Sequence, residues 1–181
     1  MSTKELVGME ALVRWNQPEL GVISPFKFIS LAEETGLIVP LGEWILRESC
    51  RQTKEWQEAG LPPLVVSVNV SVRQLADPEF IVKIKTILKE TGLDPKWLEL
   101  EITESVLVDA KSTIEILKEI QACGIQISID DFGTGYSSLS YIKDLPINTL
   151  KVDQSFVKDI HVNEDSRAIA LAIINLANSM G

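Results

Sequence analysis

The chain has 181 residues and a formal net charge of −9, from 17 Lys and Arg against 26 Asp and Glu, with 45% hydrophobic and 24% charged residues. That length and balance suit one folded domain with a real core and exclude a disordered chain, while the acidic excess argues against DNA, RNA or an anionic membrane as partner. No apolar run reaches the ~18 residues of a membrane span, MSTKEL is not a signal peptide, and Cys50 and Cys123 offer neither a disulfide framework nor metal spacing, all of which fits a reducing cytoplasm.

Leu6 to Arg14 reads as a strand. Ser24-Pro25, a cap residue followed by proline, predicts a helix from there to about Thr35, ahead of Gly36. Residues 41–59 carry helical apolar spacing at Trp44, Ile45, Cys50 and Trp56. Leu64 to Val70 is rich in valine and bounded by Pro62-Pro63, a strand. Asp77-Pro78 opens a helix to about Thr91, Trp97 to Thr103 is a strand, and 110–122 is a helix. Gln126 to Phe132 and Thr149 to Asp153 are further strands, and 164–180 is a helix. Alternation of this kind is the signature of parallel βα units, in an open doubly wound sheet or a (β/α) barrel.

The polar residues favour the barrel. Parallel strands buried on both faces should be nearly continuous apolar runs. Each strand here breaks that rule near its C-terminal end, with Glu10, Asn69, Glu101, the pair Asp130 and Asp131, and Lys151. Any one of these could be a solvated strand end. Together they would gather on the single rim where barrels keep their chemistry. Several unpaired carboxylates in one place repel, and a cation relieves them. Donors that are all hard oxygens favour Mg²⁺, Mn²⁺ or Ca²⁺ over zinc or copper. Two such ions suit phosphodiester hydrolysis, with Lys151 able to orient a water and Arg14 to grip a phosphate.

The segments GMEALVRW (8–15), SVNVS (67–71), LEITES (100–105), IDDFGTGYSSLSYI (129–142) and LKVDQSFV (150–157) resemble, in order, the motifs of the EAL domain family, which hydrolyses the bacterial messenger cyclic di-GMP. The resemblance implies a TIM-like (β/α) barrel and metal ligands at Glu10, Asn69, Glu101, Asp130 and Asp131, with Asp131 nearer a second ion. It makes Lys151 and Glu10 catalytic, Lys151 by contact with the attacking water. It gives Arg14 a substrate phosphate, Asp153 a place near the second metal, and Glu104 the anchoring of the loop that begins at Asp131. It also implies two Mg²⁺ or Mn²⁺ ions with Ca²⁺ inhibitory, linear pGpG as product, a homodimer through the loop 131–142, and diguanylate cyclase or sensor domains in a longer parent chain. The family's opening strand, often YQPI, and its later AEGVE and QGY segments are not found. Residues 1–181 are therefore expected to form a single domain fragment with about five of the eight barrel strands.

Alternatives of other classes are a non-catalytic sensor that binds cyclic di-GMP and a dimerisation module without a ligand. Local motifs have plainer readings. DFG at 131–133 lacks the other kinase motifs, and Gly133-Thr134-Gly135 reads as a turn. Trp15 reads as a structural tryptophan, Gln74 as a surface residue at a helix start, and His161 as a surface residue. Lys83, Lys85 and Lys89 read as a solvated helix face.

Overall fold

The computed structural model describes residues 6–105, 110–134 and 145–180. Its elements are β1 (Gly8–Ala11), β2 (Trp15–Gln17), β3 (Gly21–Ile23), α1 (Pro25–Thr35), α2 (Ile38–Glu58), β4 (Val65–Asn69), α3 (Val72–Leu75), α4 (Phe80–Thr91), β5 (Leu98–Thr103), α5 (Ala110–Ala122), β6 (Gln126–Phe132), β7 (Thr149–Val152), α6 (Gln154–Lys158) and α7 (Glu164–Met180). Five strands form one parallel sheet in the order β1-β4-β5-β6-β7, and β2 and β3 form a separate antiparallel hairpin. The sheet is curled, a partial barrel clad by helices.

The five expected strands are the five of the sheet, and β6 has its expected bounds. Four short elements escape the sequence reading, one of them a single 3-10 turn at Pro95–Trp97. The hairpin β2–β3 has three residues per strand, too few for a visible alternation, and its turn is held by the Gln17 side chain, which accepts from the Glu19 and Leu20 N–H groups. A capping box starts α3, with the Ser71 hydroxyl and the Gln74 amide each accepting the other's backbone N–H. The last, α6, is capped by Asp153, whose carboxylate accepts from Ser155 N–H at 2.8 Å. Helix α2 begins at Ile38 rather than 41, because Pro40 sits in its first turn, where the missing N–H would have no intrahelical partner.

Side chains alternate across the sheet. One face carries Val66, Val68, Val70, Leu98, Leu100, Ile102, Ile127 and Ile129, all buried against Leu46 and Cys50 of α2, Ile84 and Ile87 of α4, Leu117 and Ile120 of α5, and Ile173 of α7. At ~1.5–3 kcal/mol for each large buried side chain, this outer layer supplies the bulk of the folding energy. The inner, concave face is polar: Glu10 on β1, Ser67 and Asn69 on β4, Glu99 and Glu101 on β5, Ser128 and Asp130 on β6, and Thr149 and Lys151 on β7.

Candidate active site

The inner face is built in layers. In the lower one, Glu99 accepts from the Ser67 hydroxyl at 2.7 Å and from the Thr149 hydroxyl at 3.4 Å. Hydrogen bonds from these two hydroxyls are what make a buried carboxylate tolerable there. Above it, Glu101 is 1% exposed and bonds Lys151 through Oε1, while its Oε2 is buried without a partner. Beside them the Asn69 amide donates to Glu10 at 2.8 Å. Register sets Glu10 beside Ser67 and Asn69 beside Glu101, so the Asn69–Glu10 bond is a diagonal between neighbouring strands.

The end of β6 is bent. The pairing with β7 shifts between Ile129 and Phe132, and Asp131 takes φ 54°, an uncommon conformation for a residue with a side chain. A bulge at that point re-aims the two neighbouring carboxylates. Gly133 follows at φ 101°, and a Cβ there would lie 3.0 Å from both Phe156 and Ile173. Its N–H donates to Glu104 Oε2 at 3.0 Å, tying the end of β5 to the start of the loop. The rest of the loop 131–142, from 135 on, lies outside the described residues.

The charges interact strongly. Burial pushes the Glu101 carboxyl above its usual range against the pull of Lys151 and Ser67, and the Glu10 charge adds to the rise. Desolvation works against the Lys151 charge, but the Glu101 hydrogen bond and the carboxylates of Glu101, Asp130 and Glu10 outweigh it and hold Lys151 protonated. Burial also raises Asp131, with the neighbouring Asp130 and a hydrogen bond with Asp153 acting in the same direction. Asp153 is held low by the Ser155 hydroxyl and N–H.

The fold thus brings the expected residues onto one rim as linked pairs: Glu10 with Asn69, Glu101 with Lys151, and Asp131 with Asp153. Among the described residues no three carboxylates, imidazoles or thiols already converge on a point that could hold an ion. The donor chemistry nonetheless suits a hard cation. Glu101 offers a buried oxygen with no partner, and Asn69 spends its amide N–H on Glu10, which leaves its oxygen as the ligating atom.

A cleft of about 390 Å³ opens beside this rim, between β1, the start of α1 and the end of β4. Leu12, Pro25, Phe26 and Ile29 give it an apolar wall, and Asn69 and Glu101 lie at its polar end. Arg14 lines it too, exposed, with one N–H given to the Val13 carbonyl at 2.9 Å. Trp15 packs edge-on against Phe28, ring centroids 5.7 Å apart, which supports its structural reading. His161 is exposed, as expected. Gln74 stands at a helix start, as expected, but is not a surface residue. It is 3% exposed and borders the cleft, and it presses against Gly42 of α2, where a Cβ would fall 1.9 Å from its amide nitrogen. The Ser-x-x-Gln spacing at 71–74 was the available signal, since a capping box turns the glutamine back toward its own helix start.

The family model of the EAL domain matches residues 1–181. The chain is 43% identical over 176 residues to the bifunctional diguanylate cyclase/cyclic di-GMP phosphodiesterase MucR of Pseudomonas aeruginosa, and 42% identical over 177 residues to the cyclic di-GMP phosphodiesterase PdeR of Escherichia coli. Each alignment takes in 97% of this chain, which spans 26% of the length of the first relative and 27% of the second. The fold superposes with a TM-score of 0.93 on the PaMucR phosphodiesterase in complex with c-di-GMP, at 43% identity, over 97% of this chain and 72% of that one. Solved EAL structures are TIM-barrel-like, and the curled five-stranded sheet superposes on a part of such a barrel. Among the described residues no helix is long and apolar enough to cross a membrane.

Proposed function

The chain belongs to the EAL domain family, and from that premise we propose that it hydrolyses cyclic di-GMP to linear pGpG, adding water across one of the two phosphodiester bonds. The observation that carries this reading is Glu101: a fully buried carboxylate with one oxygen on Lys151 and the other unpartnered, on a rim that also holds Glu10, Asn69, Asp130 and Asp131.

Glu10, Asn69, Glu101 and Asp130 are the residues that would hold one Mg²⁺ or Mn²⁺, with Asp131 and Asp153 toward a second. Such ions supply an activated water at neutral pH and neutralise the phosphoryl oxygens. The protein's own groups do the rest. Lys151, kept protonated by its carboxylate neighbours, donates hydrogen bonds to the attacking water or to the charge that develops on the phosphate. Arg14 retains most of its guanidinium donors for a substrate phosphate. The apolar wall of the cleft takes the flat face of a base. Glu104, through Gly133, fixes where the Asp130–Asp131 turn stands. Ca²⁺ would compete for the same oxygens and is expected to inhibit.

In the same reading the domain works in the cytoplasm, next to diguanylate cyclase or sensor domains of a longer parent chain, a class of neighbour that the bifunctional name of MucR illustrates. It self-associates through the loop 131–142, which sedimentation of the chain with and without substitutions in that loop would test.

The deciding experiment is hydrolysis of cyclic di-GMP with Mg²⁺, Mn²⁺, Ca²⁺ or EDTA. Mg²⁺ and Mn²⁺ are expected to support formation of pGpG, and Glu10→Ala to abolish it. Absence of turnover with Mg²⁺, or full turnover by Glu10→Ala, overturns the reading. Binding without turnover would favour a sensor.

A further inference from the structure

Glu101 and Lys151 lie on strands that are not neighbours. β6 runs between β5 and β7, and at ~4.8 Å per strand the two backbones stand about 10 Å apart. The pair therefore has to cross the inner face of β6, just above Ser128. Register places it beside Glu101 on one side and Thr149 on the other. It is 0% exposed, and its hydroxyl is buried with no hydrogen-bond partner.

Two contacts pass over β6 in parallel diagonals on either side of this serine. Glu99 reaches Thr149 at 3.4 Å below it, and Glu101 reaches Lys151 above it. A buried hydroxyl without a partner is a cost, not a source of stability. The hydroxyl is therefore not what the position requires. What the neighbours require is that the side chain be short.

We propose that Ser128 is a positioning residue whose small volume sets the approach of Lys151 to Glu101, and through that pair the placement of both groups for hydrolysis. It touches neither substrate nor water itself. Every larger side chain at 128 would rise between the two diagonals and push the Lys151 ammonium off the Glu101 carboxylate. The inference rests on the phosphodiester-hydrolysis reading for its catalytic part and on packing alone for its structural part.

The test is a series at this position: Ser128→Ala, Ser128→Thr and Ser128→Val. Each is read by kcat and KM for cyclic di-GMP with Mg²⁺, and by thermal melting in EDTA, alone and combined with Lys151→Met. The conservative Ser128→Ala is expected to retain kcat to about twofold, whereas Ser128→Val lowers kcat by about tenfold or more with KM changed by less than about threefold. In melting, the penalty of Ser128→Val is expected to shrink once Lys151→Met has removed the partner it displaces, the non-additivity of residues in one contact. Should Ser128→Val fail to fold, Ser128→Thr gives the same comparison with one added methyl. Wild-type kcat in both Ser128→Thr and Ser128→Val, equal loss in Ser128→Ala and Ser128→Val, or strictly additive melting losses would overturn the proposal. An inactive wild-type chain that still shows the melting coupling would refute the hydrolysis reading and leave the packing role standing.

Discussion

Lys151 on β7 bonds Glu101 on β5 across the whole width of β6, joining a cation whose side chain is 34% exposed to a carboxylate whose side chain is 0% exposed. The two are 50 residues apart in sequence. Removing the lysine strands a buried charge. Lys151→Met is expected to destabilise the metal-free protein by about 1–2 kcal/mol, less than the ~3–5 of a fully buried pair because water screens the exposed partner. Urea denaturation in EDTA measures it. Glu101→Gln/Lys151→Met, which removes both charges, should recover part of the loss, and a double variant weaker than Lys151→Met would contradict the pairing.

Gly42 and Gln74 form a close approach between α2 and α3 that leaves no room for a methyl group. Gly42→Ala places its Cβ 1.9 Å from the Gln74 amide nitrogen. The glutamine is buried and held by its capping box, so it cannot simply swing away. A cost of about 1–3 kcal/mol is expected, the usual range for overpacking. Gly42→Ala/Gln74→Ala should melt higher than Gly42→Ala. An unchanged melting temperature for Gly42→Ala would show that the contact yields.

Gly133 stands at a second point of close approach. Its φ of 101° excludes an ordinary side chain, and Phe156 and Ile173 each lie 3.0 Å from where a Cβ would be. Gly133→Ala is expected to cost about 1–3 kcal/mol from backbone strain and crowding. It should also weaken the N–H bond to Glu104, so turnover should fall further than stability explains. Equal kcat in Gly133→Ala and wild type would remove the anchoring role of Glu104.

Asp77 accepts from Lys83 Nζ at 2.8 Å and from the Glu79 N–H at 3.0 Å, with a side chain only 15% exposed. The Lys83 hydrogen bond, followed by the backbone bond, holds its carboxyl below the ordinary value of 3.8. A carboxyl lowered in the folded state binds its proton more tightly when unfolded. Its contribution is therefore complete above the unfolded pKa and is lost as pH falls through the folded one. Asp77→Asn should melt lower than wild type at pH 7, with a loss of roughly 0.5–1 kcal/mol from the lost ion pair with Lys83 and the weakened bond from the Glu79 N–H. The gap should close as pH drops below about 4. A gap that persists at pH 2 would exclude the ionised carboxylate as its cause.

Much of this was legible in the chain itself. The five sheet strands could be read because each is an apolar run interrupted at one end, and α1 and α7 because a Ser-Pro start and a long Ala, Ile and Leu stretch mark them. The rim residues were visible for the same reason, as polar groups where a buried strand should have none. What escaped was short or distant. The three-residue hairpin strands and the four-residue α3 carry too few residues for a period to emerge. Asp153 looked like the end of a strand, and only the geometry makes it the cap of α6. The bond between Glu99 and Thr149 depends on the curl of the sheet, which no local pattern encodes.

The alternation of the two faces separates two kinds of constraint along a single strand. On β5, Leu98, Leu100 and Ile102 belong to the greasy layer, whereas Glu99, Glu101 and Thr103 look inward. Saturation mutagenesis scored once for cellular abundance and once for nucleotide turnover should produce two combs with the same tooth spacing, offset by one residue. Changes in the greasy comb should lower both scores, whereas changes in the inward comb should lower turnover well beyond their cost in abundance, so the proposed chemistry can be lost while most of the shape is kept.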